Sequence, residues 1–294
     1  MSDSQECKTE NRGRAAGLDA RGTEILEQRM LVPNVNVLTV HAPAVARKIQ
    51  PGQFIILRAD EHSERIPLTV ADWDREAGTV TCIFMQVGTS TQKLGAAKPG
   101  DRLPTFVGPL GHPMELENFG TVVLTGGCYG IGALYPAARK LKELGNTVIA
   151  MVEARGSFLL YWVDKYRPIA DEVIISTFDG SKPGKKGEGP LHLADLLASG
   201  RHVDRIFALG CTFMMYETAK ATQPFGVKTI VSLNPIMIDG TGMCGACRVV
   251  VGGETKFACV DGPDFDAHQV DWELLLSRRK PYIESEAASL ESYS

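Results

Sequence analysis

Between Ile238 and Pro263 the chain reads IDGTGMCGACRVVVGGETKFACVDGP, three thiols with a carboxylate ahead of them in a run too rich in glycine for a helix. Two residues separate Cys244 from Cys247, eleven more precede Cys259, and Asp239 stands five places before Cys244. Plant-type two-iron clusters use C-x4-C-x2-C and a distant fourth cysteine. The pattern here is D-x4-C-x2-C-x11-C, with aspartate in the first place. Gly240, Gly242 and Gly245 let the backbone wrap a centre closely and aim amides at sulfur. Carboxylate is a harder donor than thiolate, so ligation by Asp239 is expected to shift the potential and to make it respond to protonation. Two other readings stand beside the cluster: a structural zinc ion, although zinc ribbons pair two C-x2-C hooks and one is present, and unligated core cysteines.

The rest of the chain must supply a fold for that run. From Ile25 to about residue 119, short β-rich stretches such as VNVLTVHA, GQFIILRA and GTVTCIFMQVG are broken by turn signals, which predicts a small antiparallel barrel or sandwich. From 120 to 233, apolar strands (TVVLTGG, TVIAMVEA, EVIIST, RIFALG, KTIVSL) alternate with helical stretches. That alternation predicts a doubly wound parallel sheet. Ile131, Leu134, Ala138, Leu141 and Leu144 form a helical stripe ending at Gly145-Asn146. Residues 180–189 read as a mobile loop, 234–280 as a cluster segment closed by a short helix near Trp272–Arg278, and 281–294 as a tail. The first 24 residues read as a polar tail without an apolar core for export or lipidation.

Composition narrows the function. A net charge of −4 over 294 residues does not suit neutralisation of nucleic-acid phosphates. No apolar run reaches the roughly 20 residues of a membrane helix. Seven cysteines, three of them clustered, suit metal chemistry in a reducing compartment better than a disulfide scaffold, so a cytoplasmic protein is expected. No G-x-S-x-G elbow or H-E-x-x-H helix supports a hydrolase.

Two further motifs carry chemistry. LTGGCYGIG places Gly126, Gly127, Gly130 and Gly132 on the first strand-to-helix turn of the α/β block, where a pyrophosphate can approach helix amides. The spacing G-G-x-x-G-x-G differs from the main dinucleotide fingerprint, and a tight packing turn is the plain alternative. Glu153 ends the second strand, where a carboxylate holds the ribose in NAD sites, while Arg155 suits a 2′-phosphate; NAD(H) is favoured. In the barrel block, Arg65-Ile66-Pro67-Leu68-Thr69 and Gly88-Thr89-Ser90-Thr91 resemble ordinary turn chemistry on physics alone.

A barrel, a nucleotide-binding α/β domain and a two-iron segment together resemble the ferredoxin–NADP reductase superfamily. Within it the chain is similar to the electron-transfer subunits of dihydroorotate dehydrogenase. It is more similar still to the small-subunit family of NADH-dependent ferredoxin:NADP oxidoreductases, also called sulfide dehydrogenases. The aspartate at 239 separates that group from the dihydroorotate branch, which has cysteine there. The resemblance implies FAD on Ile66, Pro67, Leu68 and Thr69, with Arg65 one place before the family's arginine. It adds Ile83, Phe84, Met85, Gly88, Ser90 and Thr91 as further flavin contacts. It also implies Cys211 beside the nicotinamide, within a stretch that lacks the family's proline. A 2Fe-2S cluster on Asp239, Cys244, Cys247 and Cys259 would relay electrons. The implied partner is a larger subunit with a second FAD and four-iron clusters that reduces NADP with ferredoxin by electron bifurcation. Alternatives are a dihydroorotate dehydrogenase subunit, a stand-alone NAD(P)H-dependent reductase, or a zinc-containing nucleotide-binding module without turnover.

Overall fold

The computed structural model describes residues 22–278 and 280–293. Most of the predicted polar tail and Cys7 lie outside the described residues. Seven strands form the first sheet: β1 (Thr23–Val32), β2 (Val35–His41), β3 (Phe54–Arg58), β4 (Ile66–Asp74), β5 (Thr79–Met85), β6 (Arg102–Leu103) and β7 (Thr105–Leu110). Their order is β6-β1-β2-β5-β4-β3-β7, antiparallel throughout. The two edge strands are joined covalently through Pro104, which bends the sheet into a nearly closed barrel. Two helices lie on it, α1 (Pro43–Ala46) and α2 (Thr89–Ala96).

Alternation along these strands feeds two cores. On β2, Leu38 and Val40 point into the barrel, while Val35 and Val37 join a cluster shared with the α/β part. On β5, Val80, Cys82 and Phe84 face inward, and Ile83 faces the α/β part. Cys82 is thus barrel packing, and burial pushes its thiol up to about 12, where it is unreactive.

The second sheet has the order β11-β10-β9-β8-β12-β13-β16. Its strands are β8 (Thr121–Gly127), β9 (Thr147–Ala154), β10 (Glu172–Thr177), β11 (Lys185–Lys186), β12 (Arg205–Leu209), β13 (Thr229–Ser232) and β16 (Asp264–Asp266). All but β16 run parallel. Odd and even residues of β8 and β9 enter different clusters, so both faces of the sheet are covered, as a doubly wound domain requires. Helices α3 (Gly130–Ala133), α4 (Tyr135–Glu143), α5 (Val163–Tyr166), α6 (Gly189–Ala198) and α7 (Thr212–Thr222) connect the strands. The predicted stripe is therefore split at Leu134, and its end is capped by Asn146, whose amide donates to Leu141 O at 2.9 Å.

A hairpin follows, β14 (Arg248–Val251) and β15 (Glu254–Phe257), turned by Gly252 and Gly253 at φ 60° and 79° as a tight two-residue turn requires. Helix α8 (Trp272–Ser277) matches the expected short helix, and α9 (Ile283–Tyr293) occupies the stretch read as a tail. Among the described residues, no helix is long and apolar enough to cross a membrane.

The loop read as mobile, 180–189, is instead tied down. It holds β11, and Thr177 Oγ1 donates to Ser181 O at 2.8 Å. The cluster segment shares its packing with both larger parts. Cys247, Cys259, Val249 and Trp272 pack in one cluster with Phe54 and Ile56 of the barrel and Met215 and Ala219 of α7.

Asp264 is among the buried polar groups left without a hydrogen-bond partner among the described residues. Neither of its oxygens has one, although the nearby Ser232 hydroxyl favours its charged form. Burial dominates and pushes this carboxyl up to about 7. The folded chain therefore binds this proton more tightly than the unfolded chain, whose carboxyl titrates near 4, and stability falls as pH rises between those values. Asp264→Asn should raise Tm by an amount that grows from pH 5 to pH 8 and levels off above, reaching a few kcal/mol of stability at most. Thermal melts across that range would refute this if the gain were constant with pH.

Candidate functional site

The glycine-rich loop after β13 orders its four candidate ligands as two pairs. Asp239 Oδ2 accepts from Thr241 Oγ1 at 2.9 Å and from the Met243 amide at 2.8 Å. The Cys244 thiol donates to Asp239 Oδ1 at 3.1 Å and, with those donors, holds the carboxyl well below the usual range. The sulfurs of Cys247 and Cys259 lie 3.2 Å apart and are buried; burial and the adjacent Cys247 thiol push Cys259 up to about 12. Among the described residues, no three His, Cys, Asp or Glu side chains converge as a single ion needs. Two donor pairs, one exposed and one buried, fit a dinuclear centre better than tetrahedral zinc.

The loop is fastened to the barrel. The Nε of Arg65 donates to Ile238 O at 2.8 Å, one residue before Asp239. Gly240 has φ +75°, and a Cβ there would lie 2.8 Å from both Ile56 Cδ1 and Leu110 Cδ1. Only glycine lets this loop press on β3 and β7. Arg65 therefore joins the start of the predicted flavin motif to the predicted metal loop.

The other half of the site is the crevice where strand order reverses, at the carboxyl ends of the neighbouring strands β8 and β12. The four glycines have different tasks. A Cβ on Gly126 would meet Gly130 at 3.0 Å, and one on Gly130 would collide with the carbonyl of Leu209. Gly132 is buried against Ile83 and Ala71 of the barrel, so it serves packing between the two parts and faces no open crevice. Gly127 borders Glu153, whose Oε1 would lie 3.3 Å from a Cβ there.

Glu153 itself is buried and accepts from the Gly189 amide at the start of α6. Burial raises its pKa, with that bond opposing. Arg155 is exposed on the following loop. Cys211 is exposed at the start of α7, its sulfur accepting from the Met214 amide at 3.5 Å.

Five residues that brace this crevice escaped the sequence reading as functional positions. Tyr129 OH donates to Gly210 O at 2.7 Å and accepts from Asn234 Nδ2 at 2.7 Å. Thr212 Oγ1 donates to Asn234 Oδ1 at 2.9 Å, so one amide ties together the turns after β8 and β12 and the start of the metal segment. Tyr161 OH donates to Cys128 O at 2.7 Å and accepts from the Gly132 amide at 3.1 Å. Tyr166 OH donates to Ile131 O. The aromatic run YWVDKY after β9 was the available signal for the last two.

On the barrel, Ile66, Pro67, Leu68 and Thr69 are half-buried along the first part of β4, and Met85 is half-buried at the end of β5. Ile83 and Phe84 depart from expectation. Phe84 fills the barrel interior and Ile83 packs on Gly132, so neither side chain is open to a ligand. Gly88 precedes α2 with open space where a Cβ would be, and Ser90 is buried. The Thr91 hydroxyl accepts from the amides of Val87 and Gly88 at 3.0 Å each and donates to Gly88 O, so it builds the turn.

Known proteins are similar to this chain in sequence and in fold. Residues 234–271 match the iron–sulfur cluster binding domain of dihydroorotate dehydrogenase B. A dihydroorotate dehydrogenase B (NAD(+)) electron transfer subunit homolog of Thermotoga maritima is 45% identical over 270 residues, 92% of this chain and 95% of that one. The electron transfer subunit of Desulforamulus reducens is 31% identical over 258 residues, 85% of this chain and 97% of its own length. A chain from a structure of the NADH-dependent reduced ferredoxin–NADP oxidoreductase, solved for insight into flavin-based electron bifurcation, superposes with a TM-score of 0.87 at 42% identity. That match covers 96% of this chain and 99% of the other. The chain belongs to the family of dihydroorotate dehydrogenase B electron-transfer subunits and their homologues, oxidoreductase subunits with an iron–sulfur binding segment.

Proposed function

We propose that this chain is the NAD(H)-handling small subunit of a flavin-dependent electron-transfer complex, carrying one FAD and one 2Fe-2S cluster. The observation that carries this reading is the bond from Arg65 to Ile238 O, which sets the flavin motif and the metal loop side by side. When bound, the flavin exchanges hydride with the nicotinamide and single electrons with the cluster. The chain's own residues position these groups and exclude water; no side chain need act as an acid or base.

Ile66–Thr69, Met85 and the Gly88–Thr91 turn line the flavin side, with backbone alone available from Ile83 and Phe84. Gly126, Gly127 and Gly130 leave room for a dinucleotide, Glu153 suits its ribose, and Cys211 sits at the crevice mouth. Asp239 with Cys244, and Cys247 with Cys259, would hold the cluster. Buried Cys247 and Cys259 must lose their protons to do so.

The partner is a larger subunit with its own FAD and four-iron clusters that reduces NADP with ferredoxin. The superposition on a chain of the NADH-dependent reduced ferredoxin–NADP oxidoreductase, with a TM-score of 0.87 over 96% of this chain, supports this choice. Its contact surface is the exposed edge of the metal loop. Met243 is 90% exposed beside Cys244, and Ile236, Ile238 and Val260 are exposed around it. A cluster of bare apolar side chains around a redox centre is a surface for burial.

Anaerobic titration of the purified chain with NADH should bleach flavin and cluster bands together. Zinc in place of iron and acid-labile sulfide would overturn the relay. Cys259→Ser should abolish the cluster bands while NADH still bleaches the flavin. Met243→Asp should weaken capture of the co-expressed large subunit about tenfold, the size of a lost apolar anchor, and leave the NADH titration unchanged. Full retention of the partner would exclude this edge as the docking surface.

A further inference from the structure

A second cleft, of about 680 Å³, opens on the seam between the two large parts, away from the crevice and the metal loop. It is bounded by the end of α1, the far end of β4 with its turn, and α4. Trp73 lies six residues along β4 from Pro67, about 20 Å of extended chain from the flavin motif. Five cations line the cleft (Arg47, Lys48, Arg75, Arg139 and Lys140) against a single carboxylate, Glu143. This concentration occurs in a protein whose net charge is −4.

Two of the five are already neutralised. Arg139 pairs with Asp72 at 3.3 Å and lies over the Trp73 ring, and Lys140 pairs with Glu143 at 3.3 Å. Arg47, Lys48 and Arg75 have no carboxylate partner among the described residues; Arg75 reaches only Ile49 O, at 3.5 Å. Three like charges around one cleft repel each other, and an anion of at least two charges relieves that repulsion. Guanidinium groups suit phosphate oxygens because they donate in pairs. The floor is different in character: Pro51, Met114, Leu116 and Pro136 give it apolar surface beside Trp73. The size lies within the range of small-molecule sites, and domain seams are where such sites concentrate.

We infer that this cleft binds an organic diphosphate, its phosphates held by Arg47, Lys48 and Arg75 and its organic body on the apolar floor. Because it touches α1 and β4 on one side and α4 on the other, such a ligand bridges the barrel and the α/β part.

Calorimetry with ADP as the probe, on the cofactor-loaded chain with NAD(+) saturating the crevice, tests it. One saturable site is expected, weakened by added salt and about tenfold or more by the double variant Arg47→Glu/Arg75→Glu, the loss of two charge-assisted contacts. The double variant should keep its visible spectrum and Tm, since both side chains are exposed. Inorganic pyrophosphate should bind more weakly than ADP; equal affinity would remove the role given to the floor. No saturable heat from either probe at about millimolar concentration, or unchanged binding by the double variant, would overturn the site.

Discussion

Burial of Cys247 and Cys259 against Phe54 and Ile56 is the contact on which the rest of this structure depends. A run of 26 residues from Ile238 to Pro263 with three glycines before its hairpin turn has too little apolar surface to form its own core. It borrows one from the barrel and from α7, and returns β16 to the edge of the α/β sheet. The segment is thereby held at both ends by different parts of the molecule. Its ligand pairs inherit positions fixed by packing that was made elsewhere, which is how a loop can hold a geometry that a loop alone would lose.

The same borrowing explains why the two ligand pairs sit in different surroundings. Cys247 and Cys259 are within packed side chains, where charge is expensive, while Asp239 and Cys244 sit at the surface amid hydrogen-bond donors. A carboxylate needs that polar setting and would be poorly placed in the buried position. The order of ligands along the chain, aspartate first and the late cysteine last, matches this division.

Much of this could be read from residues alone. Strand identities in the α/β part followed from uninterrupted apolar runs flanked by turns, whereas the hairpin of β14 and β15 was not read from its paired glycines. The metal pattern was legible because its spacing is local. What stayed hidden depends on contacts distant in sequence. Gly132 looked like part of a phosphate cradle, yet its partner is Ile83, 49 positions earlier. Ile83 and Phe84 sit on one strand whose two faces serve different cores, a fact that period-two alternation announces only once both cores are known. Asn234 gave no signal because its value lies in joining three turns separated by more than 100 residues.

These hidden contacts are of one kind. Arg65 to Ile238, Asn234 to Tyr129 and Gly132 against Ile83 each cross between parts of the chain that carry different ligands on the reading proposed above. Electron transfer between bound groups depends on their separation, and separation is set by contacts between the parts that hold them. A sequence that specifies three binding sites well, but the seams between them poorly, would bind every cofactor and still transfer slowly. Gly132 packs on Ile83 and Arg65 holds the carbonyl of Ile238, so each fixes a seam and, with it, the distances on which transfer depends.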